Sequence, residues 1–197
     1  IMAQTRAGIS AKQLERELGV TYKTAWRMFN RIRKLMGDEG NMLSGEVEVD
    51  EVYFLFNSAK RTTARAHNSQ VVFGMVERKG RAVVKHVKSS GVRILSKEIQ
   101  RGIDPKATIY SDTHRSYEHL TKAGYLHLTI NHSKQEYVKG VRHTQNVENL
   151  WSNIKRGITG VYRHVDPKYL QNYVDEYAFR YSHRATPKYM FDLILSN

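Results

Sequence analysis

The chain opens on a helical spacing of apolar positions. Leu14 and Leu18 stand one turn apart behind Ser10, a residue suited to an N-cap, which predicts a short helix over 10–18. Gly19-Val20 ends it, and Thr21 caps a second helix running to about Met36. Along that helix Ala25, Trp26, Phe29, Ile32 and Met36 form one apolar stripe, while Lys23, Arg27, Arg31 and Lys34 line another face. A short helix, a Gly-centred turn and a longer basic helix have the layout of a helix-turn-helix, whose second helix enters a DNA major groove. A plain helical hairpin with a solvated basic face is the competing reading. Gly37 to Gly45, with three glycines in nine residues, reads as a linker.

After the linker the period becomes that of strands. Glu46 to Phe54 is rich in valine and aromatics, and Val71–Glu77 and Ala82–Val87 are two more strands joined at Lys79-Gly80. Val92, Leu95, Ile99 and Ile103 mark an amphipathic helix that stops before Asp104-Pro105. A strand at Thr108–Ser111, a helix from about Arg115 to Ala123 and a strand at Tyr125–Ile130 follow. Helices are then expected near 144–156, 168–182 and 187–195. Three antiparallel strands followed by alternating helices and strands predict an α/β fold, a mixed sheet flanked by helices. Its element order is that of the ribonuclease-H-like fold. The expected organisation is a small all-α helix-turn-helix segment at 1–38 and a ribonuclease-H-like domain at 45–197.

Charge changes the picture most. With 32 Lys+Arg against 19 Asp+Glu in 197 residues, the net charge is +13 and points to a polyanionic partner, most often nucleic acid. The absence of cysteine excludes disulfides, thiolate zinc sites and a Cys nucleophile. No apolar run is long enough for a membrane span, and no H-x-x-x-H pair suggests catalytic zinc. A soluble, cytoplasmic, nucleoid-associated protein is expected. Lys60, Arg61, Arg65 and His67 fall in a loop without acids, and Lys134, Lys139, Arg142 and His143 in a second loop leading into the Glu148 helix; both sets are candidate phosphate contacts.

Three carboxylates stand apart from the mixed-charge surface. Asp50 lies among valines in the first strand, Asp112 follows the fourth strand at its carboxyl end, and Glu148 sits on a helix beside Leu150, Trp151 and Ile154. In a β1–β4–helix arrangement they could converge on one sheet edge. Like charges brought together need cations, and hard divalent ions such as Mg²⁺ take oxygen ligands and phosphate oxygens together. Two such ions support in-line displacement at phosphorus. Each acid alone is also compatible with a turn cap or an ion pair.

The residues also resemble a family. His143-Thr144-Gln145-Asn146-Val147-Glu148-Asn149-Leu150-Trp151-Ser152-Asn153-Ile154-Lys155-Arg156-Gly157 looks like the third catalytic block of DDE transposases of bacterial insertion sequences, in the group related to Merlin elements. Gly45 to Glu51 and Tyr110 to Tyr117 match its first and second blocks, and Asp175 to Tyr181 followed by Arg184 its C-terminal signature. The resemblance implies that Asp50, Asp112 and Glu148 are the acidic triad for Mg²⁺, with Mn²⁺ as substitute. Thirty-five residues separate the last two. Asn146 is the alternative third ligand, since some members are described with Asn there. Glu51 should point to the opposite strand face from Asp50. Lys155, two helical turns past Glu148, would contact phosphate near the cut, with Arg156 beside it. The implied activity is hydrolysis of double-stranded DNA at element ends, then 3′-hydroxyl strand transfer into target DNA by a homo-oligomer. A decayed or domesticated DNA-binding protein and a hydrolysis-only nuclease are the rivals. Members usually carry a zinc ribbon before the helix-turn-helix, so a truncated or ribbonless N-terminus is also expected.

Overall fold

The computed structural model describes residues 2, 5, 7–37, 40–55, 69–113, 117, 119–130 and 144–196. The first helical turns follow from their caps. Ser10 accepts from the Gln13 amide ahead of α1 (Ala11–Leu18), and Gly19 ends that helix at φ 65°. Thr21 accepts from the Thr24 amide ahead of α2 (Tyr22–Leu35).

Five strands form one mixed sheet: β1 (Glu46–Leu55), β2 (Ser69–Glu77), β3 (Ala82–Val87), β4 (Thr108–Asp112) and β5 (Leu126–Ile130), in the order β3-β2-β1-β4-β5. β2 pairs antiparallel with β1 and with β3, while β4 pairs parallel with β1 and with β5. This is the ribonuclease-H-like order, with β1 at the centre. α3 (Val92–Gly102) crosses from β3 to β4 on one face, where Leu95 and Ile99 pack with Val47, Val49, Phe73 and Ile109. α4 (Gln145–Arg156) and α5 (Leu170–Ser182) cover the other, where Val147, Leu150, Trp151 and Val174 pack with Val52, Val72 and Val84. Period-two alternation therefore sends Glu48, Asp50 and Val52 toward α4, and Val47, Val49 and Glu51 toward α3.

Side chains protect an otherwise open edge. Gln171 of α5 accepts from the His86 amide and donates to the Val84 carbonyl, which occupies backbone groups of edge strand β3.

Three local expectations are corrected. The helix expected from Arg115 to Ala123 does not continue as an α-helix over its described end: Tyr117 has 3-10 geometry and 119–124 form successive turns, with Ala123 and Gly124 amides donating to Leu120 and Thr121 carbonyls. Tyr117 and Leu120 still reach the core, so an apolar spacing of three was met by turns instead of a helix. The linker is partly structural: Leu43 is fully buried, and its amide and carbonyl bridge to Gly102 and Asp104. Beyond α4 the chain continues as a π-helix over Gly157–Tyr162, which the spacing did not predict.

The N-terminal helices do not stand off from the sheet domain. Ile9, Leu14, Ala25, Phe29 and Met36 share a core with Phe179 of α5 and with Met190 and Ile194 of α6 (Met190–Ser196). No helix among the described residues is long and apolar enough to cross a membrane.

Candidate active site

Two of the three singled-out acids lie on neighbouring central strands, β1 and β4. β1 and β4 pair in parallel with Glu46, Val47 and Glu48 opposite Thr108, Ile109 and Tyr110. Asp50 and Asp112 each lie two residues beyond the last paired positions, on the same side of that ladder, and the charge of Asp112 reaches the Asp50 carboxyl. Asp50 accepts a hydrogen bond from the Trp151 indole at 2.8 Å. Its carboxyl is pushed up to about 7, first by burial and then by the negative charges of Glu51 and Asp112, against the pull of the indole N–H. A half-buried carboxyl with a second one beside it is a donor set that suits a hard, oxygen-seeking divalent cation. Below the pair, Tyr117 donates to Glu51 on the α3 face, and burial and Glu51 raise its hydroxyl well above the ordinary range. Glu51 thus stands on the face opposite Asp50.

α4 is fixed over β1 by a residue that the sequence reading left aside. Glu48 is wholly buried. Its carboxylate accepts from the Asn146 amide (2.8 Å), the Asn146 side-chain Nδ2 (2.8 Å) and the Val147 amide (3.2 Å). Arg78 donates to it from β2's end at 3.0 Å. A buried carboxylate at a helix N-terminus satisfies otherwise unbonded amides and faces the positive end of the dipole. The signal was present, because Glu48 lies two residues before Asp50 on the same strand face. Asn146 is therefore bound to Glu48, and its Oδ1 accepts from Tyr181 at 3.4 Å.

Glu148 sits in the first turn of α4, exposed, with the Thr144 hydroxyl donating to it at 2.9 Å. One turn on, Trp151 reaches Asp50. Among the described residues, however, no group of three or more His, Cys, Asp or Glu could hold a metal ion. Asp112 acts on Asp50 through its charge, and Asp50, Asp112 and Glu148 together do not form such a group. Gly74, opposite Asp50 on β2, makes the Trp151 position available: a Cβ there would lie 2.7 Å from the ring.

Basic residues are exposed on two helices. Lys155 and Arg156 are exposed at the end of α4, with Arg156 donating to Asn153 at 2.7 Å. Lys23, Arg27, Arg31 and Lys34 are all exposed along α2. Thr24, Arg27, Met28, Asn30, Arg31 and Lys34 line an open groove there. Lys60, Arg61, Arg65, His67, Lys134, Lys139, Arg142 and His143 lie outside the described residues.

Comparison with known proteins adds a family. An uncharacterized protein in transposable element ISH50 of Halobacterium salinarum is 26% identical over 174 residues, covering 78% of this chain. The chain spans 58% of that relative's length. Among solved structures, the simian T-cell lymphotropic virus intasome in complex with PP2A regulatory subunit B56 gamma matches at 14% identity and a TM-score of 0.42. That match covers 84% of this chain and 67% of the other. A sequence model of the ISXO2-like transposase domain matches residues 42–182, a span that holds Asp50, Asp112, Glu148 and the helices around them. The chain belongs to the ISXO2-like transposase family.

Proposed function

We propose that this protein is a DDE-type transposase that cuts double-stranded DNA at element ends and joins the freed 3′-hydroxyl to target DNA. The observation that carries the reading is the half-buried Asp50 carboxyl, pushed up to about 7 by burial and by the nearby charges of Glu51 and Asp112, on the strand next to the one that ends at Asp112. Asp50 and Asp112 would hold a divalent cation, Mg²⁺ or Mn²⁺, with Glu148 or, less favourably as a neutral donor, Asn146 as third ligand. Such ions supply Lewis acidity and charge neutralisation for in-line displacement at phosphorus.

The remaining work belongs to the chain's own side chains. Trp151 orients the Asp50 carboxylate through its indole N–H. Glu48 seats the first turn of α4, and with it Glu148, over β1. Lys155 and Arg156 would hold DNA phosphate next to the cut, and the basic face of α2 would grip the duplex in its major groove. Lys60, Arg61, Arg65 and Arg142 are proposed as further backbone contacts. In the overall reaction water breaks the phosphodiester and frees a 3′-hydroxyl, which then attacks a target phosphate, forming a new phosphodiester as the target's own P–O3′ bond breaks and its 3′-oxygen leaves as a hydroxyl. Concerted action on two ends calls for a homo-oligomer.

A second reading, a protein that grips DNA without cutting it, is favoured by the position of Glu148 outside any three-residue acid group. Nicking of supercoiled plasmid in Mg²⁺ separates the two. The transposase reading expects nicking that is lost in Asp112→Ala, together with a joined strand-transfer product. Nicking that survives Asp112→Ala unchanged would remove the acid assignment, and cut ends without joined product would leave a hydrolytic nuclease.

A further inference from the structure

The basic side chains of α2 have two different environments. Lys23, Arg27, Arg31 and Lys34 face solvent, whereas Arg33, across the same helix, is 1% exposed. Its Nε donates to Glu176 of α5 at 2.8 Å, and its guanidinium lies 4.0 Å from the centroid of the Tyr173 ring. Glu176 is itself fully buried and also accepts from Arg180 at 2.8 Å. Leucines would hold two helices together without the cost of removing charges from water. What the ion cluster adds is direction: a planar guanidinium meets a carboxylate and an aromatic face in one geometry, hence at one rotation and one offset of α2.

The same helix reaches the acid site from its other side. Tyr181, five residues beyond Glu176, donates to Asn146, which is bound to Glu48 on β1 two residues before Asp50. α5 is therefore a strut with one end in α2 and the other in the helix that carries Glu148. Asn172 of α5 adds a side-chain hydrogen bond to Asn30 of α2 at 2.8 Å.

We propose that Arg33 and Glu176 are positioning residues that lock α2 at one rotation and offset relative to Asp50 and Asp112, so that DNA is cut a fixed number of nucleotides from the sequence α2 contacts. This rests on the function proposed above. A helix that could roll or slide would read the same bases while presenting different phosphates to the acids, and small misplacements of this kind are costly at a reacting centre.

The test uses a duplex selected from a random-sequence pool by binding to the wild-type protein, then end-labelled. In Mg²⁺ the wild type is expected to cut it at one phosphodiester. Arg33→Met removes the ion-pair link between α2 and α5, leaving the Asn172–Asn30 hydrogen bond, the shared apolar core and the Glu176–Arg180 pair within α5. It should still bind the duplex, with the share of product at the wild-type position falling to about half or less and the rest spread over neighbouring positions. A role in folding alone lowers the total product without moving the cut. If Arg33→Met does not fold, Arg33→Lys, which keeps the charge and loses the planar fork, is scored the same way. A folded variant that cuts only at the wild-type position overturns the proposal by itself. A wild type that nicks plasmid but has no fixed cut position also overturns it, and a wild type that nicks nothing overturns the function reading and this proposal together.

Discussion

Glu176 and Asp50 are both acids on the α4–α5 side of the molecule, and their surroundings are opposite. Glu176 receives two guanidiniums, Arg33 and Arg180, each at 2.8 Å, and the Tyr162 hydroxyl. Asp50 receives an indole N–H, while the charges that push on it, Glu51 and Asp112, are both negative. Glu48, two residues from Asp50, belongs with Glu176: it is buried, bound by Arg78 and by helix amides. A buried acid whose charge is fully met holds the architecture together. One that is set beside another acid destabilises the fold on its own and makes sense where a cation or a phosphate-bearing ligand comes and goes.

The comparison breaks most sharply on removal of one negative charge at each place. Glu176→Gln leaves Arg33 and Arg180 facing each other without a counter-charge in a dry site. Loss of one partner from a buried ion cluster typically costs about 3–5 kcal/mol. Urea unfolding followed by circular dichroism should show a loss of that order, and a loss below about 1 kcal/mol would mean the cluster is more solvated than its burial implies.

Asp50→Asn should act the other way on stability. The Asp50 carboxyl titrates at about 7 in the fold against 3.8 for the ordinary group, so between those values the folded protein binds the proton more tightly than the unfolded chain. Wild-type stability therefore carries no Asp50 cost below pH 3.8, loses on the order of 1.4 kcal/mol per pH unit above it, and bears the whole cost above pH 7. Thermal melts from pH 5 to 8 should fall for the wild type and flatten for Asp50→Asn, with the variant the more stable at pH 8. Mn²⁺ should raise the wild-type Tm at pH 8 and leave that of Asp50→Asn nearly unmoved. Equal pH profiles would place Asp50 in water.

Sequence spacing carried the local structure well and the long-range chemistry poorly. Caps at Ser10 and Thr21, the strand expected from Glu46 and the turn at Lys79-Gly80 are decided within a few residues, and each appears as expected. Asp50 and Asp112 could be paired because a central strand and its parallel neighbour follow from element order. Arg33 and Glu176 could not: 143 residues separate them, and Arg33 sits in the sequence between exposed Arg31 and Lys34 with no local mark of burial. Glu48 was passed over for a related reason, since a glutamate in an edge-charged strand reads as solvated until α4 is seen to place its amides there. Over its described end, 119–123, the expected helix gave way to successive turns, because apolar positions three apart fit turns as well as a helix.

The smallest expected effect concerns the solvent side of α2, where the comparison with Arg33 is finest. Six residues apart on one helix, Arg27 is exposed and Arg33 is buried against Glu176, so the two arginines should differ in kind. If Arg27 and Arg31 contact DNA phosphate, replacing both with Ala removes two sites of counterion release. The slope of log affinity against log salt should then flatten by about 0.9 for each lost contact, with affinity falling alike for related and unrelated duplexes. Protein stability should change little, because neither side chain is packed. Arg33→Met should change the salt slope little and the cut position much. Fluorescence anisotropy of a labelled duplex titrated at several salt concentrations measures the first quantity. A slope unchanged in the Arg27→Ala/Arg31→Ala protein would mean that this face of α2 points away from DNA, and the basic path would have to run through Lys155 and Arg156 instead.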